Sequence, residues 1–130
     1  MKNSILALII LSFLPSSSFA ENSSQDVVVD NHNQLIWQGG TAIEKEHGEA
    51  MLYCRDLTYA GKEDWRLPNL NELLSAFWIS DKFKQLETYW SSTTHEQNTD
   101  YKWYVDFGDG DIRVEGRGGD NLVRCVRNNK

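Results

Sequence analysis

Asp64-Trp65-Arg66-Leu67-Pro68-Asn69, followed one helical turn later by Glu72 and Leu73, is the stretch on which the fold turns. Pro68 disfavours helical geometry in the residue before it, so Asp64 to Leu67 reads as a short extended segment. Asn69 suits a helix N-cap, and Glu72 lies three residues on, the spacing at which the two side chains satisfy free backbone N–H groups reciprocally. Leu70, Leu73, Leu74 and Phe77 then repeat one helical face, which predicts a helix from 70 to about 78. Trp65 and Leu67 read as buried. Arg66 is expected to pair with Asp64 or Glu72 rather than to anchor a ligand.

Upstream, Val27 to Val29 and Leu35 to Trp37 are β-prone runs separated by Asp30-Asn31-His32-Asn33, a hairpin signal that Gly39-Gly40 ends. From about Glu46 to Tyr59 the residues Ala50, Tyr53, Cys54 and Leu57 fall at i, i+3, i+4 and i+7, which predicts a helix with Cys54 facing inward and Gly61 as its stop. Downstream, the period changes from 3.6 to 2. Thr88 to Ser92 is β-prone, and Lys102 to Phe107 alternates Trp103, Val105 and Phe107 with Tyr104 and Asp106. Asp109-Gly110 is a hairpin turn leading to Ile112 and Val114. Leu122 to Arg127 closes the chain with Val123 and Cys125 on one face and Arg124 and Val126 on the other. Two helices followed by an antiparallel meander predict an α+β domain.

The first twenty residues read as an export signal, with Lys2, an apolar run from Ile5 to Leu14 and Ser18-Phe19-Ala20 before the cut. The run is too short to span a membrane, so no insertion is expected after cleavage. The expected organisation is a signal at 1–20, a flexible lead at 21–25 and one domain at 26–130, in the periplasm or secreted. Removing the signal takes Lys2 with it and leaves 12 basic against 19 acidic residues, a net charge of −7. Such a chain is repelled by nucleic acid and by anionic membranes. From Arg113 to Lys130, five basic residues face two acidic ones, so this stretch is +3 and the rest −10. Two cysteines in an exported chain most simply form one disulfide, Cys54 with Cys125. A metal site would want clustered ligands, yet the three histidines stand singly, and a redox site would want a close cysteine pair.

The ordered series Leu35-Ile36-Trp37-Gln38, Ala50 with Tyr53-Cys54 and Leu57, Gly61, the Asp64–Asn69 block with Glu72-Leu73, Tyr89-Trp90-Ser91-Ser92-Thr93, Trp103 to Phe107 with Gly110, and Val123 to Arg127 resembles the Legionella collagen-like protein C-terminal (Lcl C-terminal) domain family. The resemblance covers essentially the whole chain after the signal. It implies a C-type-lectin-like fold, two helices flanking a small antiparallel sheet with the termini meeting in a hairpin. The Arg-Leu-Pro segment also resembles sulfatase-modifying enzymes of that fold, but their close catalytic cysteine pair is missing, so their activity is not carried over. The founding family member is an adhesin-type protein whose C-terminal domain is associated with sulfated glycans on a trimeric collagen-like stalk. This sequence contains no Gly-X-Y run, and its acidity opposes a polyanion.

The expectation is therefore a non-catalytic binding module for a carbohydrate or cell-surface polymer, working through the loop between about 93 and 101 and the 108–120 hairpin. The alternative is a protein-binding or structural envelope or adhesin module. Trp37, Trp65, Trp90 and Trp103 are expected in the core, whereas Trp78, Tyr101 and Tyr104 are free to offer a ring to a sugar. Arg113 and Arg117 complete the candidate ligand-binding set. No catalytic residues, cofactor or metal are assigned. Asp106, Asp109, Asp111 and Asp120 supply the oxygens calcium takes and keep it as a minor alternative, but they lack a calcium-loop spacing, and Ser91, Ser92, His95 and Glu96 are merely close in sequence.

Overall fold

A computed structural model describes residues 25–83 and 85–130. The export signal and most of the lead lie outside the described residues. Gln25, at the end of that lead, accepts a hydrogen bond from the Ala60 N–H at 2.9 Å. The fold is mixed α/β, with two α-helices, two sheets and one disulfide.

Strands β1 (Val27–Asp30) and β2 (Leu35–Gln38) form the expected hairpin. Asp30 closes it by accepting from the backbone N–H and the side-chain amide of Asn33. Strand β8 (Val126–Asn128) pairs with the other edge of β2 to complete a three-stranded sheet. The second sheet has five strands in the order β3-β7-β4-β5-β6, built from β3 (Ile43–Glu46), β4 (Thr88–Thr94), β5 (Tyr101–Asp106), β6 (Ile112–Gly116) and β7 (Asp120–Val123). The one small antiparallel sheet expected is thus two sheets, and β4 pairs with β7 in parallel at Tyr89 and Leu122. The closing run Leu122–Arg127 is also divided: β7 and β8 belong to different sheets, and Arg124 and Cys125 bridge them.

Helix α1 (His47–Arg55) is shorter than the predicted 46–59. It stops at Asp56, whose N–H bonds to the Leu52 carbonyl, and Leu57 lies beyond it. Gly61 (φ 72°) serves a different turn, in which Tyr59 and Lys62 exchange two backbone bonds. Helix α2 (Leu70–Ala76) carries the predicted capping box: Asn69 accepts from the Glu72 N–H and Glu72 accepts from the Asn69 N–H. A 3-10 helix, Phe77–Lys82, continues from it. Arg66 forms a two-pronged ion pair with Glu72 at 2.7 and 2.8 Å, and its backbone exchanges two bonds with Val126. The block also reaches β4, where Ser92 donates to the Pro68 carbonyl and Thr93 accepts from the Leu70 N–H.

The alternation that sequence periodicity reads as inside and outside divides two cores instead. Tyr89, Leu122, Val126 and Val105 enter a cluster under α2 with Trp37, Leu73, Phe83 and Phe107. Their neighbours Trp90, Val123 and Cys125 enter a second cluster under α1 with Ile36, Ala50, Cys54, Trp65 and Leu67. The disulfide Cys54–Cys125 lies in this second cluster, both residues fully buried. Which core a strand residue enters is therefore set by the side of the sheet it leaves.

Candidate functional site

Trp78 is the most exposed large apolar side chain of the described residues, at 84%. It is the second residue of the 3-10 helix, just before Ile79, whose backbone (φ −117°, ψ 18°) kinks the helix. Phe77 braces it edge-on at 6.1 Å and in turn meets Phe107 at 6.0 Å. Gly110 (φ 82°) closes that brace, because a Cβ there would come 3.2 Å from the Phe77 ring. The indole is thus held from behind by the aromatic core and open in front.

Beside it is a recess of about 400 Å³ walled by Asp30, His32, Asn33, Ser75 and Ile79. Most of these come from the β1–β2 turn, carried against the end of α2. Asp30 is buried and committed to Asn33, and the Ser75 hydroxyl donates to the Glu72 carbonyl. His32 and Asn33 stay exposed. An exposed indole face next to an amide and an imidazole is the arrangement that holds a sugar ring, apolar C–H face on the aromatic and hydroxyls on the polar rim. A wider recess, about 580 Å³, runs between Asp26–Val28 and Gly39–Thr41, but its one ring, Phe83, is 2% exposed.

The other expected ligand residues do not join Trp78. Tyr101 is exposed, but Tyr104, three residues on, leaves the opposite face of β5 and packs edge-on against Trp90 at 6.3 Å. Arg113 is engaged by three carboxylates, Asp106 at 3.0 Å and Asp109 and Asp111 at 3.3 Å. Its guanidinium fills the space between the acidic side chains that suggested calcium. Among the described residues, no group of three or more His, Cys, Asp or Glu is arranged to hold a metal ion. Arg117 pairs with Asp100 at 3.5 Å. The +3 tail is therefore not a free basic patch: Arg113 and Arg117 are neutralised and Arg124 is 1% exposed.

The loop expected at 93–101 is shorter than its sequence suggests. Strand β4 runs to Thr94 and β5 begins at Tyr101, and the turn between them is closed on itself, with His95 Nδ1 accepting from the Gln97 and Asn98 N–H groups. Ser91 donates to the Trp103 carbonyl, and no hydrogen bond joins Ser91 to His95 among the described residues. Trp103, expected in the core, is only half-buried and stacks on His95 at 5.4 Å.

The Lcl C-terminal domain family matches residues 26–127. The chain belongs to this family. No curated protein matches it. Within this Lcl C-terminal domain, two buried polar residues escaped the sequence reading. His47 donates from Nε2 to the Ser91 carbonyl at 2.8 Å and lies edge-on to Trp90 at 5.0 Å. Burial lowers its pKa, the Ser91 bond opposes this and Lys102 adds to it. Arg124 is caged by the carbonyls of Gln38, Gly39, Gly40 and Phe83, by Gln85 Oε1 and by the Tyr89 hydroxyl, all within 3.4 Å. Its signal was present, since Arg124 and Val126 share a strand face, but a cation on that face reads as solvated.

Proposed function

We propose that this domain is a non-catalytic, exported binding module with a C-type-lectin-like fold, recognising a carbohydrate or cell-surface polymer through the face that carries Trp78. The observation that carries the reading is Trp78 itself. An indole costs roughly 2–3 kcal/mol to leave in water rather than bury, and here it is 84% exposed while the ring beside it is locked in place. A ring this exposed gives up water rather than protein contacts when it meets a ligand, so its apolar area is available for binding. The rim of His32, Asn33 and Asp30 carries no cation of the lysine or arginine type, which suits a neutral or weakly charged sugar and not a sulfated one.

Export is supported by the sequence signal together with a buried disulfide, the form cysteines take in oxidising compartments. Among the described residues no helix is long and apolar enough to cross a membrane. A non-catalytic role is supported by the commitments of Ser91 and His95 to backbone groups. The test is a glycan array with the purified protein beside Trp78→Ala. The wild type should retain a neutral or weakly charged saccharide and Trp78→Ala should lose at least tenfold in affinity while melting within about 0.5 kcal/mol of wild type, since the side chain is 84% exposed. Retention of no sugar, or equal retention by both proteins, would overturn the proposal.

A further inference from the structure

A second surface, around Arg66, has the chemistry of a polypeptide docking site. Two recesses share that residue. One, about 540 Å³, is floored by Met51, Leu52, Trp65 and Leu67. The other, about 450 Å³, is lined by Asp64, Arg66, Arg127, Asn128 and Lys130. Arg127 ties them together, its guanidinium 5.9 Å from the Trp65 ring and its Nε donating to the Glu63 carbonyl. Met51 and Leu52 are 42% and 49% exposed, on the side of α1 away from Ala50 and Cys54.

Between the recesses Asn128 Oδ1 accepts from Arg66 Nη2 at 2.8 Å, and beyond Val126 that edge of β8 has no further strand partner among the described residues. Arg66 pairs with Val126 as in an antiparallel ladder, so Asp64 would be the next partner of Asn128. Asp64 instead adopts φ 66°, turning the chain away and leaving that step of the ladder unfilled. Arg127 and Lys130 have no carboxylate partner among the described residues, while Arg66 is held by Glu72 and Arg55 by Asp56. In a protein of net charge −6, Arg127 and Lys130 thus face a single recess carboxylate, Asp64, next to exposed aliphatic side chains.

We infer that the paired recesses bind a polypeptide segment in which an acidic residue stands next to a large aliphatic or aromatic one, the acidic group meeting Arg127 and Lys130 and the apolar one Met51 and Leu52. Charge complementarity selects the acidic residue. The floor selects a polypeptide over a polyanionic glycan: aliphatic side chains offer no ring face to a sugar, Trp65 is 2% exposed, and two free cations are few for a polyanion. This surface is independent of Trp78.

The test is a randomised hexapeptide array probed with the purified protein, with Leu52→Asp, Arg127→Glu and Trp78→Ala in parallel and dextran sulfate as competitor. Bound peptides should be enriched in Asp or Glu adjacent to Leu, Met or Phe. Leu52→Asp and Arg127→Glu should each weaken binding by about tenfold, and Trp78→Ala should leave it unchanged. Leu52 is 49% exposed, and melting of each variant separates loss of binding from loss of fold. Lack of enrichment, loss with Trp78→Ala, or displacement by dextran sulfate of peptides lacking apolar residues as readily as of those carrying them would overturn the inference.

Discussion

Arg124 and Cys125 are adjacent in sequence and fasten the same length of chain to opposite cores, one with a buried charge and the other with a covalent bond. Cys125 reaches Cys54 on α1, across 71 residues. Arg124 turns the other way, stacks on Phe83 at 4.7 Å and Tyr89 at 5.4 Å, and gathers Gln38, Gly39, Gly40, Phe83 and Gln85 onto itself. No carboxylate neutralises it among the described residues. Oriented carbonyl dipoles stand in for water, and only the Nε lacks a partner. The contrast is one of state. A disulfide acts mainly by restricting the unfolded chain, whereas the guanidinium acts only when its acceptors are assembled, so it specifies the native arrangement of three segments.

The largest effect expected is from removing the bond. Cys54→Ala with Cys125→Ala should lower the unfolding free energy by about 4 kcal/mol, the loop-closure figure for about 70 residues. Urea denaturation reads the loss and near-ultraviolet circular dichroism should stay native-like, because the surrounding core of Trp65, Trp90 and Val123 is intact. A changed native spectrum would mean that the bond shapes the fold as well as the unfolded state.

Arg124→Met comes next, with an expected loss of about 3 kcal/mol, because unpairing its buried carbonyl acceptors is partly offset by no longer burying the charge. Here the native spectrum should change, and hydrogen exchange should rise at Gln38, Gly39, Gly40, Phe83 and Gln85. Arg124→Lys should recover little, because one ammonium cannot reach six acceptors spread around a planar fork. Apolar replacement of buried charges is neutral in some proteins. A Met variant as stable as wild type would put this one among them and end the contrast.

The smallest effect is titration of His47, which links α1 to β4. Burial holds its pKa below the ordinary 6.5, so the unfolded chain takes up a proton first as the pH falls. The stability this group contributes is complete above pH 6.5 and drains as the pH drops through the lowered native value. Melting temperature should therefore fall between pH 7.5 and 5. His47→Gln keeps an N–H donor for the Ser91 carbonyl and should flatten that part of the profile. An unchanged slope would assign the acid sensitivity elsewhere.

Local signals in the sequence carried far where chemistry is local. The capping box of Asn69 and Glu72, the β1–β2 hairpin and the exposure of Trp78 all appear as read, because each depends on a few neighbouring residues. Period-2 alternation was also right about direction: Arg124 and Val126 do share a face. It was silent on what lies beyond each face. Trp103 looked like core and is half-exposed, while Tyr104 looked free and packs on Trp90, since both faces of β5 receive cover and the amount differs along the strand. Arg113 looked like a free cation because its three aspartates lie in a turn whose inward curl is invisible in the sequence.

The start of α2 at Asn69, the hairpin turns, the pairing of the two cysteines and the family were all legible from residues alone, as consequences of local backbone preference or of having a single possible partner. Only the tertiary structure decided that one run, Leu122–Arg127, divides between two sheets, that Arg124 lies buried among carbonyls, and that Arg66, Arg127, Met51 and Leu52 share one surface. Those outcomes depend on which distant segments arrive at a side chain, and the free energy of burying a charge or exposing a leucine is set by that company rather than by the residue.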